Sequence, residues 1–566
     1  MKAKRLNSNF AACAAAMSAL VSLAATSPAT AQTLRTVALS GQPAPGTPSG
    51  VTYLYFDLPP VLNAAGQTAF MADLTGDGVT AFNYAGIWSE GSGSLALVAR
   101  SGTQAPGTPS GVNYDAFTAP VLNAAGQTAF FSFLTGSGVT PANINNHGIW
   151  SEGSGSLSLV ARAGNPAPGM PSGVRFRRVN NIPYPPALNA AGQTAFVAEL
   201  TGSGVTEAND RGIWSEGSGS LALVAREGSA APGMPSGVNY SFIIGPVLNA
   251  AGQTAFSAFV TGGGDNSGIW SEGSGSLALV ARSGTQAPGT PSGVNYDAFT
   301  EPVLNAAGQT AFRAELTGAG VTTANDLGIW SEGSGSLALV ARSGTQAPGT
   351  PSGVDFSNLL SPVLNAAGQT AFKAELTGGG VTTLDKSGIW SEGSGSLALV
   401  ARSGTQAPGT PSGVNFNSFG SLVLNAAGQT AFRAELTGAG VTTANARGIW
   451  ATDVSGAPQL IARTSDLLEV VPGDFRTITA LDFHSNSGNG DGRPSSFNDL
   501  GQLAFVATFS DGSEGIFVSN RVAIPEPMSI ALVGLAMVGV AATSRWRRPR
   551  PGAGFQRERT YDAGAI

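Results

Sequence analysis

The sequence predicts an all-β fold, an eight-bladed β-propeller closed by its own N-terminal strand, and three observations carry that prediction. The stretch "VLNAAGQTAF" at Val121–Phe130 belongs to a set of eight copies and near copies. Each copy holds four apolar segments of strand length, and the copies are offset so that one strand stands alone ahead of the first and is missing from the last.

The copies are anchored at Asn63, Asn123, Asn189, Asn249, Asn305, Asn365, Asn425 and Asn498, usually 60 residues apart, with spacings of 66, 56 and 73 as exceptions. Within one copy, read at Pro302–Arg342, the segments are "PVLN", "TAFRAEL", "GIW" and "LALVAR", here named strands A to D. None keeps a helical period over three turns. "NAAG" supplies an Asn and a Gly that tolerate left-handed backbone, so it turns A onto B, and "SEGSGS" turns C onto D. The prolines of "SGTQAPGTPSG" lack the N–H that a central ladder needs, so that stretch crosses from one unit to the next. A lone four-stranded meander is too thin to bury its faces, and stacking on neighbours supplies the missing cover. Trp88, Trp150, Trp214, Trp270, Trp330, Trp390 and Trp450 recur in the "GIW" slot, with Phe517 in the eighth copy, and read as core.

The ends separate a ring from a line. "LRTVALSGQPAPGTPSG" at Leu34–Gly50 matches "LALVARSGTQAPGTPSG" at Leu95–Gly111 and is an orphan strand D, whereas the eighth unit has "NDLGQLAF" and "GIF" but no strand D. A β-solenoid or a string of small sheets would leave an unfinished sheet at each end. A propeller uses the N-terminal strand to complete its last blade.

Outside residues 32–520 both ends read as addresses. Lys2, Lys4 and Arg5 precede an apolar run and the small-residue site Ala29-Thr30-Ala31, the pattern of a secretory signal peptide over residues 1–31. The single cysteine, Cys13, lies inside it, so no disulfide is expected in the exported protein. At the other end Pro525, Glu526 and Pro527 precede an apolar run from Met528 to Thr543 and the cluster Arg545, Arg547, Arg548 and Arg550. This segment, 521–566, resembles the PEP-CTERM sorting signal of Gram-negative bacteria. The resemblance implies recognition by an exosortase, a membrane helix with its arginines on the cytoplasmic side, and a place in the cell envelope; the extension from Pro551 to Ile566 departs from it. The chain carries −6, of which the first 31 residues contribute +3 and residues 521–566 contribute +4, leaving −13 for the repeat region. Such a charge argues against nucleic acid as a partner.

All eight copies match N-x-x-G-x-x-A-F, the last through Asn498, Gly501, Ala504 and Phe505. In this the chain resembles the bacterial tandem-repeat proteins named for that pattern, a set of exported proteins joined to various surface anchors. The resemblance implies a location and no activity.

Catalysis needs unlike groups, and the repeats offer few. No nucleophile elbow, zinc set, Walker lysine or dinucleotide fingerprint is present, no cofactor is expected, and the protein reads as a non-enzyme. His147 and His484 read as solvated loop residues. Glu199, Glu315, Glu375 and Glu435, with Asp73, end strand B, while Arg100, Arg162, Arg226, Arg282, Arg342, Arg402 and Arg463 end strand D; interblade ion pairs between the two sets are expected. The insertion "HSNSGNGDGRPSS" at His484–Ser496 reads as a disordered loop, with Asn486, Asn489 and Asp491 as the alternative calcium donors.

The expected function is an envelope-anchored binding or adhesion module for polysaccharide or a surface protein. A purely structural matrix protein is the first alternative, and a polysaccharide hydrolase or lyase using the propeller funnel the second. "NAAG" and "SEGSGS" hardly vary between copies, whereas the B-to-C and D-to-A connections on the opposite face do. Variable loops on a rigid face are where recognition resides. In "RFRRVNNIPYPP" at Arg175–Pro186, Arg175, Arg177, Arg178 and Tyr184 form a cationic and aromatic set suited to acidic exopolysaccharide.

Overall fold

A computed structural model describes residues 34–519 apart from 141–143, 181–184, 263–265, 486, 488 and 489. The expected signal peptide, Tyr184 and the sorting segment lie outside the described residues. Among those described there is no helix, and hence none long and apolar enough to cross a membrane.

Eight antiparallel sheets form eight blades, each ordered A-B-C-D. Blade 5 shows the plan: strand A in two pieces, Val294–Phe299 and Val303–Leu304, then B at Thr310–Gly318, C at Leu327–Ser331 and D at Ala338–Arg342. Strand A is therefore longer than the sequence suggested. "YDAF" and its counterparts, including Arg175–Val179, pair with strand B instead of looping free. Pro302 stands at the interruption and cannot donate to the ladder. In blade 7 Leu422 takes that place and pairs with Phe432, and strand A runs unbroken from Val414 to Leu424.

Closure follows the predicted offset. Leu34–Leu39 pairs antiparallel with Glu514–Ser519, Leu34 facing Ser519 and Leu39 facing Gly515, which gives blade 8 its strand D. Arg35 then reaches into blade 1, where it meets Glu90 at 2.6 Å and the carbonyl of Gly66 at 2.9 Å. The array is a ring.

All seven "GIW" tryptophans are fully buried, and each indole N–H donates to the proline carbonyl of the crossing that leads into its own blade, as Trp330 does to Pro288 at 3.0 Å. The Trp and the Phe of "TAF" in one blade pack on the Ile of "GIW" in the blade before, as Phe130 and Trp150 do on Ile87. Truncating such an aromatic costs roughly 3–5 kcal/mol. The Gly of "GIW" is obligatory, because a Cβ on Gly86 would come within 2.7 Å of the Trp88 ring.

The anchoring asparagines form a closed belt. Each donates its Nδ2–H to the main-chain carbonyl of the next, from Asn63 to Asn123 at 3.1 Å and onward to Asn498, which returns to Asn63 at 3.2 Å. The Oδ1 of Asn305 meanwhile accepts from the N–H groups of Ala307 and Gln309, so one side chain builds its turn and ties its blade to the next. The Glu of "SEGSGS" caps the start of strand B: Glu332 Oε2 accepts from Thr310 N and Oγ1 at 2.8 and 2.7 Å. A Cβ on Gly333 would collide with the carbonyl of Gly368 in the following blade. The invariant turns are thus fixed by packing.

The expected ion pairs between strand-B carboxylates and strand-D arginines are not among those of the described residues. Arg100, Arg162, Arg226, Arg342, Arg402 and Arg463 instead donate Nε–H to a carbonyl of the B-to-C connection in their own blade. That connection ends one strand away, so the arginine reaches it without crossing between blades.

Candidate functional site

The insertion of the last unit lies along the propeller axis. It interrupts strand A of blade 8, after Asp474–Asp482, where the other blades have their short break. Its described residues turn carbonyls toward the inner strands: Ser495 accepts from Leu62 N, Gly492 from Leu188 N, Asp491 from Leu248 N and Ser487 from Leu424 N, at 2.7 to 3.3 Å. Arg493 pairs with Glu301 at 3.2 Å, and Ser496 donates to the carbonyl of Pro60 at 2.6 Å. These segments are a plug, and the reading of a disordered loop is corrected: innermost strands carry unpaired amides, and the insertion satisfies them. Asp491 is buried there with Arg493 beside it; Asn486 and Asn489 lie outside the described residues. Among the described residues no group of His, Cys, Asp and Glu is placed to hold a metal. His484 is half-buried, and desolvation pushes its pKa down to about 4. Beside the plug an axial pit of about 160 Å³ opens on the "NAAG" side.

A larger cavity, about 460 Å³, opens off the axis on the variable face between blades 2 and 3. Blade 2 contributes Phe133, Ile144, Asn146 and His147; blade 3 contributes Arg177, Arg178, Val179 and Asn180 from strand A and its end, Glu199 from the end of B, and Arg211 from the start of C. The regular register sets these neighbours, Arg178 facing Glu199 and Glu199 facing Arg211.

His147 opens strand C of blade 2, His147–Ser151, and is buried, which corrects its reading as a solvated loop residue. Its Nε2 accepts from Val179 N at 3.3 Å and its Nδ1 lies 3.0 Å from Asn146 Oδ1, so the ring is neutral with the proton on Nδ1. Burial first, and then the charge of Arg178, push its pKa down to about 4. The cavity's positive charge is therefore arginine alone. Arg177 lies 3.8 Å from Glu199 and 3.9 Å from Asp210, and Arg178 lies 3.9 Å from Glu199. These ion pairs are longer than hydrogen bonds. Among the described residues neither guanidinium is engaged as the strand-D arginines are. Arg211 is held differently, its Nε–H on the carbonyl of Ile243 at 2.7 Å.

Of the four candidate ligand residues, two meet in this cavity. Arg175 lies apart, exposed, with its Nη1 on the carbonyl of Gly164 at 2.9 Å, and Tyr184 is outside the described residues. One family model matches nearly the whole chain, fitting residues 9–333 and again 325–531. The chain belongs to DUF7453, a family of unknown function. No curated protein matches its sequence. Solved structures with a similar course include a puromycin hydrolase, 14% identical with a TM-score of 0.34, covering 84% of this chain and 62% of that one. A Trypanosoma rangeli sialidase is 10% identical with a TM-score of 0.26, covering 91% and 62%. The periplasmic gluconolactonase PpgL of Pseudomonas aeruginosa is 14% identical with a TM-score of 0.23, covering 67% and 92%. This chain thus spans about three-fifths of the hydrolase's length, and at these scores the likeness transfers no activity.

Sequence reasoning missed Arg211, Phe133 and the place of His147. The signal was present in the repeat itself. The residue before "GIW" runs Ala85, His147, Arg211, Ser267, Leu327, Ser387, Arg447, so this slot varies between copies like the loops of the same face, and His147 and Arg211 stand in the two blades that meet at the insertion carrying Arg177 and Arg178.

Proposed function

We propose that this DUF7453 protein is an exported, envelope-tethered binding module that captures an anionic polysaccharide on its variable face through Arg177 and Arg178. One observation carries the reading: two arginines face a cavity of about 460 Å³ with their nearest carboxylate beyond hydrogen-bond distance, whereas six of the seven strand-D arginines are tied to main-chain carbonyls. A guanidinium offers up to five N–H donors in a planar fork that matches carboxylate or sulfate. Three arginines against Glu199 make the lining cationic within an acidic repeat region, which favours an anion there and little anion binding elsewhere.

Leu34 and Ser519 pair at the "NAAG" end of blade 8, so the described chain begins and ends on that face, whereas the cavity opens on the other.

The test is retention on polygalacturonate, with neutral dextran as control. Arg177→Ser/Arg178→Ser should lose at least tenfold in affinity, about 1.4 kcal/mol, with an unchanged melting temperature, while Arg175→Ser should bind as the wild type does. Equal retention by the double variant overturns the reading.

A further inference from the structure

The residue that ends strand B takes equivalent positions in every blade, and it is aromatic on both sides of the cationic centre. Phe133 faces His147 in blade 2, Glu199 faces Arg211 in blade 3, and Phe259 faces Ser267 in blade 4; blades 5, 6 and 7 carry Glu315, Glu375 and Glu435 there. The strand-A partner changes in step. Arg178 opposes Glu199, Phe242 opposes Phe259, Asn358 opposes Glu375 and Ser418 opposes Glu435. Blade 4 alone among these puts two phenylalanines on the pair.

Those two rings are not core. Phe242 is 44% and Phe259 41% exposed, and their centroids lie 6.5 Å apart. Blades 3, 6 and 7 place polar side chains at both positions, so the scaffold itself has no need of aromatics there. Arg211 joins this pair to the cavity: it lines the cavity, and its guanidinium carbon sits 4.6 Å from the centroid of the Phe242 ring. That stacking holds the cation against the ring's negative face and keeps the surface continuous from blade 3 to blade 4.

We propose that Phe242 and Phe259 form a second subsite, a shelf on which the sugar rings next to the arginine-bound unit of the same acidic polysaccharide stack. The chemistry fits a pyranose: its C–H face is weakly positive and apolar, complementary to an aromatic face, while its hydroxyls stay in water. The inference rests on the anion-binding reading above. It adds that the ligand is read as a chain, with charge recognised in blade 3 and ring faces in blade 4.

The experiment compares galacturonic acid with an oligogalacturonate of eight units by calorimetry, on the wild type and on Phe242→Ser/Phe259→Ser, which removes both rings without adding charge. The wild type should bind the oligomer at least tenfold more tightly than the single sugar. The variant should lose at least fivefold for the oligomer, keep its affinity for the single sugar, and melt at the wild-type temperature. Equal oligomer affinity in variant and wild type overturns the shelf and leaves the arginine site standing. Failure of the wild type to bind either probe overturns the arginine reading and the shelf with it.

Discussion

The repeat acts as an internal comparison at the level of single residues: what all blades share is structural, and what one blade changes needs a local reason. Asn305 illustrates the first case, since its side chain both shapes a turn and closes one link of the belt. The motif was legible as a repeat, but the belt was not, because its bonds join residues a whole copy apart. Glu227 illustrates the second. Ser101, Ser283, Ser343 and Ser403 occupy its position elsewhere, and Ser283 Oγ accepts from Ser267 N at 3.0 Å. Glu227 is buried, which pushes its carboxyl up to about 7 despite the N–H of Ile243. The folded state therefore keeps a proton that the unfolded chain releases. Its contribution is complete below the ordinary glutamate value and is lost as pH rises through about 7. Glu227→Ser should stabilise the protein more at pH 8 than at pH 5, by about 1–2 kcal/mol once the void left by the smaller side chain is set against the relieved charge. Denaturant midpoints across that range check it, and a pH-independent difference would refute it. His147 and His484 act oppositely. Both are held near 4, so their share of stability is lost as pH falls below the ordinary histidine value.

At the level of strands and loops, proline and the axis decide what could be read. Four segments per copy were legible from their turns, but the first half of strand A was taken for a variable connection because Pro302 and its counterparts separate it from "VLN". Only blade 7, with Leu422, shows the strand whole. The plug was illegible for a related reason. A run of Asn, Gly and Ser carries no periodicity, and its partners are the inward amides of blades 1, 3, 4 and 7, far away in sequence. Replacing residues 484–495 by Thr-Glu-Pro, the break of blade 5, should open the channel and speed amide exchange at Leu62, Leu188 and Leu248. It should also lower stability by about 2–6 kcal/mol, the range for four hydrogen bonds. Exchange mass spectrometry reads the amides, and unchanged protection would show that the plug does not cover them.

For the whole molecule the offset of one strand is the decisive feature, and it was legible because counting needs no knowledge of side-chain geometry. The structure adds how much rests on that strand. Ala38 packs with Ile516 from blade 8 and with Trp88, Phe70 and Tyr53 from blade 1, so Leu34–Leu39 lies at the seam of the ring. Thr36 Oγ1 donates to the carbonyl of Val470 at 2.6 Å, while Arg35 holds Glu90, whose other contacts cap Thr68. Removing residues 34–41 takes away a ladder, an ion pair and the cover of one interblade core together. It also bares the edge of Glu514–Ser519, a row of unpaired main-chain groups that invites another chain. In a linear array this loss would stay local, because each unit would contact only its neighbours. In a ring it unfastens blade 8 from blade 1, so the truncated protein should melt less cooperatively and associate in a concentration-dependent way. A peptide of residues 34–41 added in trans should restore the melt. Unchanged cooperative melting of the truncated protein would mean that the seam is held without the strand.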